Sequence, residues 1–128
     1  MNKILIIEDH ADMRELLTWQ IELMGYAAVT AKQGREGLQK AQSENPRLII
    51  LDIMMPGMDG WEAARELKAN AATKDIPILA ATALFRDADL QSCMASGCSS
   101  YIVKPFTFQE LQGKVKELIS DVDVTFIP

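Results

Sequence analysis

The sequence is poor in the residues that build disulfide frameworks and transition-metal centres. Two cysteines, Cys93 and Cys98, make no disulfide scaffold, and a single histidine, His10, leaves a tetrahedral zinc site short of its usual ligands. Such cysteine usage is expected of a chain kept in a reducing cytoplasm. No apolar run comes near the roughly 18 residues of a membrane span. The opening Met1-Asn2-Lys3-Ile4-Leu5-Ile6-Ile7 imitates the start of a signal peptide, but its apolar core stops after four residues at Glu8 and Asp9. A signal core needs roughly 7–15, so membrane insertion is not expected. A basic excess is missing too: 13 Lys and Arg stand against 18 Asp and Glu, a formal net charge of −5, with a pI near 4.8. That argues against a nucleic-acid partner, whose phosphates call for a basic face. Internal repeats, low-complexity tracts and long linkers are also absent.

What is present suffices for one domain. The chain has 128 residues, 48% of them hydrophobic and 24% charged, an ordinary composition for a globular fold. A chain of this length buries about two-thirds of its unfolded surface and needs no staple. Four continuous apolar runs, 4–7, 48–51, 78–81 and 101–103, predict strands covered on both faces. A weaker run at 27–30 predicts an edge strand. Between them lie helical patterns. Met13, Leu16, Leu17, Ile21 and Met24 share one predicted face, with Trp19 off it and Gly25 ending the helix. Phe108, Leu111, Val115, Leu118 and Ile119 stripe the last helix, which Thr107 and Glu110 open as a capping box. Asp59 and Glu62 offer the same box to a third helix, and 34–43 and 87–96 supply two more. Strict alternation of strand and helix predicts an α/β doubly wound, five-stranded parallel sheet with helices on both faces. Its expected order is 2-1-3-4-5, the flavodoxin-like arrangement. In such a sheet ligands bind at the carboxyl ends of strands 1 and 3, where the winding reverses.

Polar residues stand at those strand ends. Glu8 and Asp9 follow the first run, Asp52 the third, Thr82 the fourth and Lys104 the fifth. The predicted topology gathers them into one crevice. Two like charges 4 Å apart cost about 1 kcal/mol in water and about 4 at an effective dielectric of 20. Three carboxylates against one lysine therefore call for a divalent cation, and a set of hard oxygens suits Mg2+. A carboxylate beside Mg2+ can attack a phosphoryl group to form an aspartyl phosphate, with the lysine neutralising the transferring oxygens.

Taken together, Glu8-Asp9, Asp52, Thr82-Ala83 and Lys104-Pro105-Phe106 resemble the receiver domain of two-component response regulators, of the stand-alone chemotaxis-regulator type. The stretch Asp52-Ile53-Met54-Met55-Pro56-Gly57-Met58-Asp59-Gly60 is similar to that family's phosphorylation loop. The resemblance implies a receiver at 1–120 followed by a short tail at 121–128. It implies Asp52 as phosphoacceptor, Asp9 as a direct Mg2+ ligand, Glu8 mostly a ligand through water, and the Met54 backbone carbonyl as a further ligand. It implies Thr82 and Tyr101 as a switch pair and a cis Lys104–Pro105 bond. The side chains two positions beyond Asp52 and Thr82 influence attacking water in receivers. Here they are Met54 and Leu84, both apolar, so a long-lived phosphoryl group is expected. The implied partners are a sensor histidine kinase or histidine phosphotransfer protein, and a target on the face of the fourth helix, fifth strand and fifth helix. The implied whole is a single-domain, cytoplasmic phosphorelay protein and not an enzyme with an external substrate.

Other readings stand beside this one. An adaptor of the same fold that never takes phosphate is the principal alternative. A phosphatase with an aspartyl-phosphate intermediate lacks a second carboxylate two residues past Asp52, where Met54 stands, and a flavin protein lacks a phosphate-cradling loop after the first strand. His10 reads as a surface or capping residue, Trp61 as a packed one, and Cys93 and Cys98 as buried neutral thiols.

Overall fold

Continuous apolar runs become the centre of a five-stranded sheet. The computed structural model describes residues 2–55, 57–83 and 86–119. In chain order it holds β1 (Lys3–Ile7), α1 (Ala11–Leu23), β2 (Ala27–Ala31), α2 (Gly34–Glu44), β3 (Leu48–Asp52), α3 (Gly60–Ala69), β4 (Ile78–Thr82), α4 (Asp87–Ala95), β5 (Ser100–Val103) and α5 (Phe108–Ile119). All strand pairs are parallel and the sheet order is β2-β1-β3-β4-β5, as expected. The tail at 121–128, the expected domain end at 120, Leu84 and Pro56 lie outside the described residues.

Alternate residues of each strand serve opposite layers, since side chains on a strand point to alternate faces. Leu5, Ile7, Ile49, Leu51, Ile78 and Ala80 pack with Ala41 of α2, Ala63, Ala64 and Leu67 of α3, and Cys93 of α4. Ile4, Ile6, Leu48, Ile50, Leu79 and Ala81 pack with Leu17 and Ile21 of α1 and Leu111, Val115 and Ile119 of α5. Each buried Leu or Ile is worth about 1.5–3 kcal/mol in transfer terms. Both faces of β1, β3 and β4 are covered, which is why these strands read as unbroken apolar runs.

The helix ends follow their sequence signals. Thr107 and Glu110 exchange the two bonds of a capping box, Glu110 N–H to Thr107 Oγ1 at 3.0 Å and Thr107 N–H to Glu110 Oε1 at 2.8 Å. Asp59 accepts from Glu62 N–H at 2.8 Å at the start of α3. Gly25 closes α1 with φ 97°, a left-handed conformation that a side chain resists.

One expected core position is overturned. Leu16 is 44% exposed and does not join the buried face of α1. At 100° per residue, the inward stripe of buried Leu17 and Ile21 and partly buried Met13 and Met24 centres near Leu17, and Leu16 falls about 100° to one side. Buried Gln20 takes that flank of the stripe instead. Leu16, Trp19 and Leu23 are left together on the outer side.

At the open edge of the sheet, β2 is only partly buried. The Lys40 ammonium from α2 donates to the Thr30 carbonyl on that strand at 2.6 Å.

Candidate functional site

Register alone brings the expected residues level. Ile7 pairs with Leu51, Asp52 with Ala81, and Thr82 with Val103. Glu8 and Asp9 therefore leave β1 beside Asp52 at the end of β3, with Thr82 at the end of β4 and Lys104 just past β5. Backbone bonds hold these ends: Glu8 N–H to the Ala31 carbonyl at 3.0 Å, Ile53 N–H to Ala81 at 3.2 Å, and Lys104 N–H to Thr82 at 2.8 Å.

Glu8, Asp52 and Thr82 are buried, Asp52 being 3% exposed. The Lys104 ammonium donates to Glu8 Oε1 at 3.1 Å and to Asp52 Oδ1 at 3.4 Å. Met54 N–H donates to Asp52 Oδ1 at 3.1 Å, while the Met54 side chain stands 56% exposed in the loop beyond. Burial pushes the Asp52 carboxyl up from 3.8 to about 7. Lys104 pulls the other way, the Glu8 charge adds to the rise, and the Met54 N–H lowers it a little.

The loop after Asp52 is pinned by a close approach. Gly60 N–H donates to the Ile53 carbonyl at 2.9 Å. A β-carbon on Gly60 would overlap Ile53 Cα and lie 2.7 Å from the Asp52 carbonyl oxygen. Glycine is what lets α3 start so near the strand end.

One donor atom from each of Glu8, Asp9, His10 and Asp52 can be chosen so that all lie within 4.8 Å of one another. Asp9 Oδ1 is buried and has no hydrogen-bond partner among the described residues. A buried carboxylate oxygen in that position is costly unless a cation satisfies it. The donor set is mostly hard oxygen, and it fits Mg2+.

Two residues near the pocket carry more than sequence reasoning gave them. Arg14 donates from one Nη to the Glu8 carbonyl at 2.9 Å and to the Asp9 carbonyl at 3.2 Å, so it braces the loop that carries both acids. Its signal was an arginine one turn into the helix that follows the acidic pair. His10 sits at the N-cap position of α1 but makes no side-chain cap bond. Its Nδ1 lies 3.3 Å from Glu8 Oε2 and 3.4 Å from Asp9 Oδ1. It is at the surface as expected, and it faces the acids.

Tyr101 lies on β5 opposite Ala80, half-buried against the core layer of α2, α3 and α4. The Lys114 ammonium stands 5.8 Å from its ring centroid. The Lys104–Pro105 bond is cis, as expected. Trp61 packs against the same layer, its indole N–H directed at Cys93 Sγ at 3.4 Å. Cys93 and Cys98 are free and buried. Among the described residues no helix is long and apolar enough to cross a membrane.

Comparison with known proteins agrees with this geometry. The family model for the response regulator receiver domain matches residues 4–116. The chain is 38% identical over 117 residues to the probable transcriptional regulator ycf27 of Cyanophora paradoxa, covering 91% of this chain and 48% of that protein. It spans about half the length of the curated relatives it matches. The fold superposes on the chemotaxis protein CheY4 of Vibrio cholerae with a TM-score of 0.88 and 31% identity, over 92% of this chain and 98% of that one. It also matches the receiver domain of the sensor histidine kinase PA1611 of Pseudomonas aeruginosa, described with a magnesium ion coordinated in its active-site cleft. There the TM-score is 0.87 and the identity 28%, over 94% of this chain and 98% of that one.

Proposed function

The chain belongs to the response regulator receiver domain family, and on that premise we propose that it accepts a phosphoryl group on Asp52 and thereby switches a protein partner. The observation that carries this reading is the pocket itself. A buried Asp52 is held by the Met54 amide and the Lys104 ammonium, beside Glu8 and a buried Asp9 oxygen that has no hydrogen-bond partner among the described residues. Residues 1–120 act as the receiver.

Asp9, Asp52 and the Met54 carbonyl would hold Mg2+, with Glu8 acting through water. Magnesium, when bound, supplies the positive charge that screens the carboxylates from the incoming phosphoryl oxygens. An Asp52 carboxylate oxygen forms the new bond to phosphorus while the donor's P–N bond to its histidine breaks. Lys104 neutralises charge on the transferred oxygens. Thr82 turns its hydroxyl toward the attached phosphoryl group, and Tyr101 follows inward on the neighbouring strand. The phosphoryl group thus favours one of two conformers.

The donor in the cell is a sensor histidine kinase or a histidine phosphotransfer protein, whose imidazole serves as leaving group. The target docks on α4, β5 and α5, where Asp87, Leu90, Gln91, Met94 and Tyr101 line a surface hollow. The chain works in the cytoplasm and turns over no external substrate.

Incubation with Mg2+ and acetyl phosphate, read by intact mass, tests the proposal. One added phosphoryl group is expected, absent in Asp52→Asn and absent in EDTA. A folded protein that stays unmodified both with acetyl phosphate and with a partner kinase would favour an adaptor that acts without phosphate.

A further inference from the structure

The same pocket holds one group that a magnesium site does not need. His10 is the chain's single histidine, and its Nδ1 lies 3.3 Å from Glu8 Oε2 and 3.4 Å from Asp9 Oδ1. We propose that His10 supplies a nitrogen donor that tilts this site toward first-row transition ions, so that Co2+ or Ni2+ binds there in preference to Mg2+. The inference rests on the pocket reading above and deepens it.

Geometry puts the imidazole close to an ion held by Asp9 and Asp52, with Glu8 acting through water. Ligands on opposite sides of an octahedral ion with bonds of about 2.1 Å lie roughly 4.2 Å apart. Donor atoms of Glu8, Asp9, His10 and Asp52 lie within 4.8 Å of one another, slightly wider than that span, so a small side-chain movement closes them on an ion. The imidazole faces the Asp9 oxygen that is buried without a hydrogen-bond partner. The ring is 75% exposed and makes no cap bond, and its Nδ1, now in hydrogen-bond contact with Glu8 Oε2, would exchange that contact for an ion. The residue itself is anchored, because His10 N–H donates to Glu8 Oε2 at 3.1 Å. Position is therefore fixed by the backbone while the ring has room to close on an ion.

Donor chemistry supplies the preference. Carboxylate, carbonyl and water suit magnesium, whereas imidazole suits cobalt, nickel and zinc. Three carboxylates alone would favour nickel over magnesium modestly. Adding imidazole strengthens binding of the transition ion and gives nothing to magnesium, which holds its waters reluctantly exchanged and its ligands oxygen.

The test uses untagged, metal-free protein. Calorimetric titration with Mg2+ and with Ni2+ gives the ratio of the two affinities, and Co2+ titration gives a visible absorption spectrum. With one histidine in the chain, any imidazole signature comes from His10. His10→Ala is expected to lower the nickel-to-magnesium preference by about tenfold or more and to shift the cobalt bands toward an all-oxygen spectrum. Asp9→Asn is expected to weaken both ions. An unchanged preference and an unchanged cobalt spectrum in His10→Ala, with both ions still lost in Asp9→Asn, would overturn the role of His10 and leave the pocket reading intact. Failure of wild type to bind either ion, or indifference of both ions to Asp9→Asn, would overturn the pocket reading and this inference with it.

Discussion

Lys104 and Glu8 are 96 positions apart in the chain, and their side chains meet at 3.1 Å. The contact ties the end of β5 to the end of β1 across the carboxyl edge of the sheet. It also places the pocket's cation between two buried carboxylates, since Asp52 lies 3.4 Å from the same ammonium. Lys104→Met removes that cation. The metal-free variant is expected to lose about 1–3 kcal/mol of stability at neutral pH, less than the 3–5 of a fully buried pair because the ammonium is partly solvated. Phosphoryl uptake from acetyl phosphate should slow by about tenfold or more. Urea melts and intact-mass time courses measure the two effects, and unchanged uptake would remove Lys104 from the transfer step.

Asp52 has a pH signature of its own. Burial pushes its carboxyl up to about 7 in the folded, metal-free protein, so between about pH 4 and 7 the folded state keeps a proton that the unfolded chain releases. The unfolded state then binds fewer protons, and stability falls as pH rises through this window. Asp52→Asn carries no such charge. In EDTA it should exceed the parent by about 1–3 kcal/mol at pH 8 and converge with it near pH 4. Denaturant midpoints at the two pH values give the comparison. No gain at pH 8 would mean that Lys104 offsets burial completely.

The lifetime of the phosphoryl group should respond to Met54. Its side chain stands exposed beside the pocket and offers no hydrogen bond to a water. Met54→Asn places an amide there and should speed hydrolysis of the phosphorylated protein. Decay followed by intact mass in the two proteins decides the point, and equal lifetimes would exclude the position from water control.

Thiol reactivity is expected to be low. Burial pushes the Cys98 thiol up to about 12, with Cys93 adding to the rise and Lys68 opposing it. Folded protein at pH 8 should resist iodoacetamide on a timescale that fully modifies the chain in denaturant. Rapid labelling of Cys98 in the folded protein would contradict its burial.

The strands and the pocket residues were legible for one reason. A doubly covered parallel strand must be apolar throughout, so its first polar residue marks its carboxyl end. Glu8, Asp52, Thr82 and Lys104 are each such a residue or stand within one position of it. What periodicity could not resolve was the width of a helical stripe: Leu16 has the right spacing but lies on the flank that buried Gln20 occupies. Arg14 was illegible because its partners are backbone carbonyls, which carry no sequence mark. The direction of the His10 ring depends on a rotamer beside an acidic turn, and spacing says nothing about rotamers.

Strand β2 ends the sheet on one side, and an open strand edge is a template for another chain. Ala31 turns its carbonyl inward to Glu8, so the carbonyl of Thr30, one residue earlier, points away from the sheet. That outward oxygen is the one the Lys40 ammonium occupies. A second copy approaching this edge would have to displace a charged, hydrogen-bonded lysine to gain one ladder bond on a strand of five residues. Pairing of two copies through β2 is thereby disfavoured without closing the sheet into a barrel.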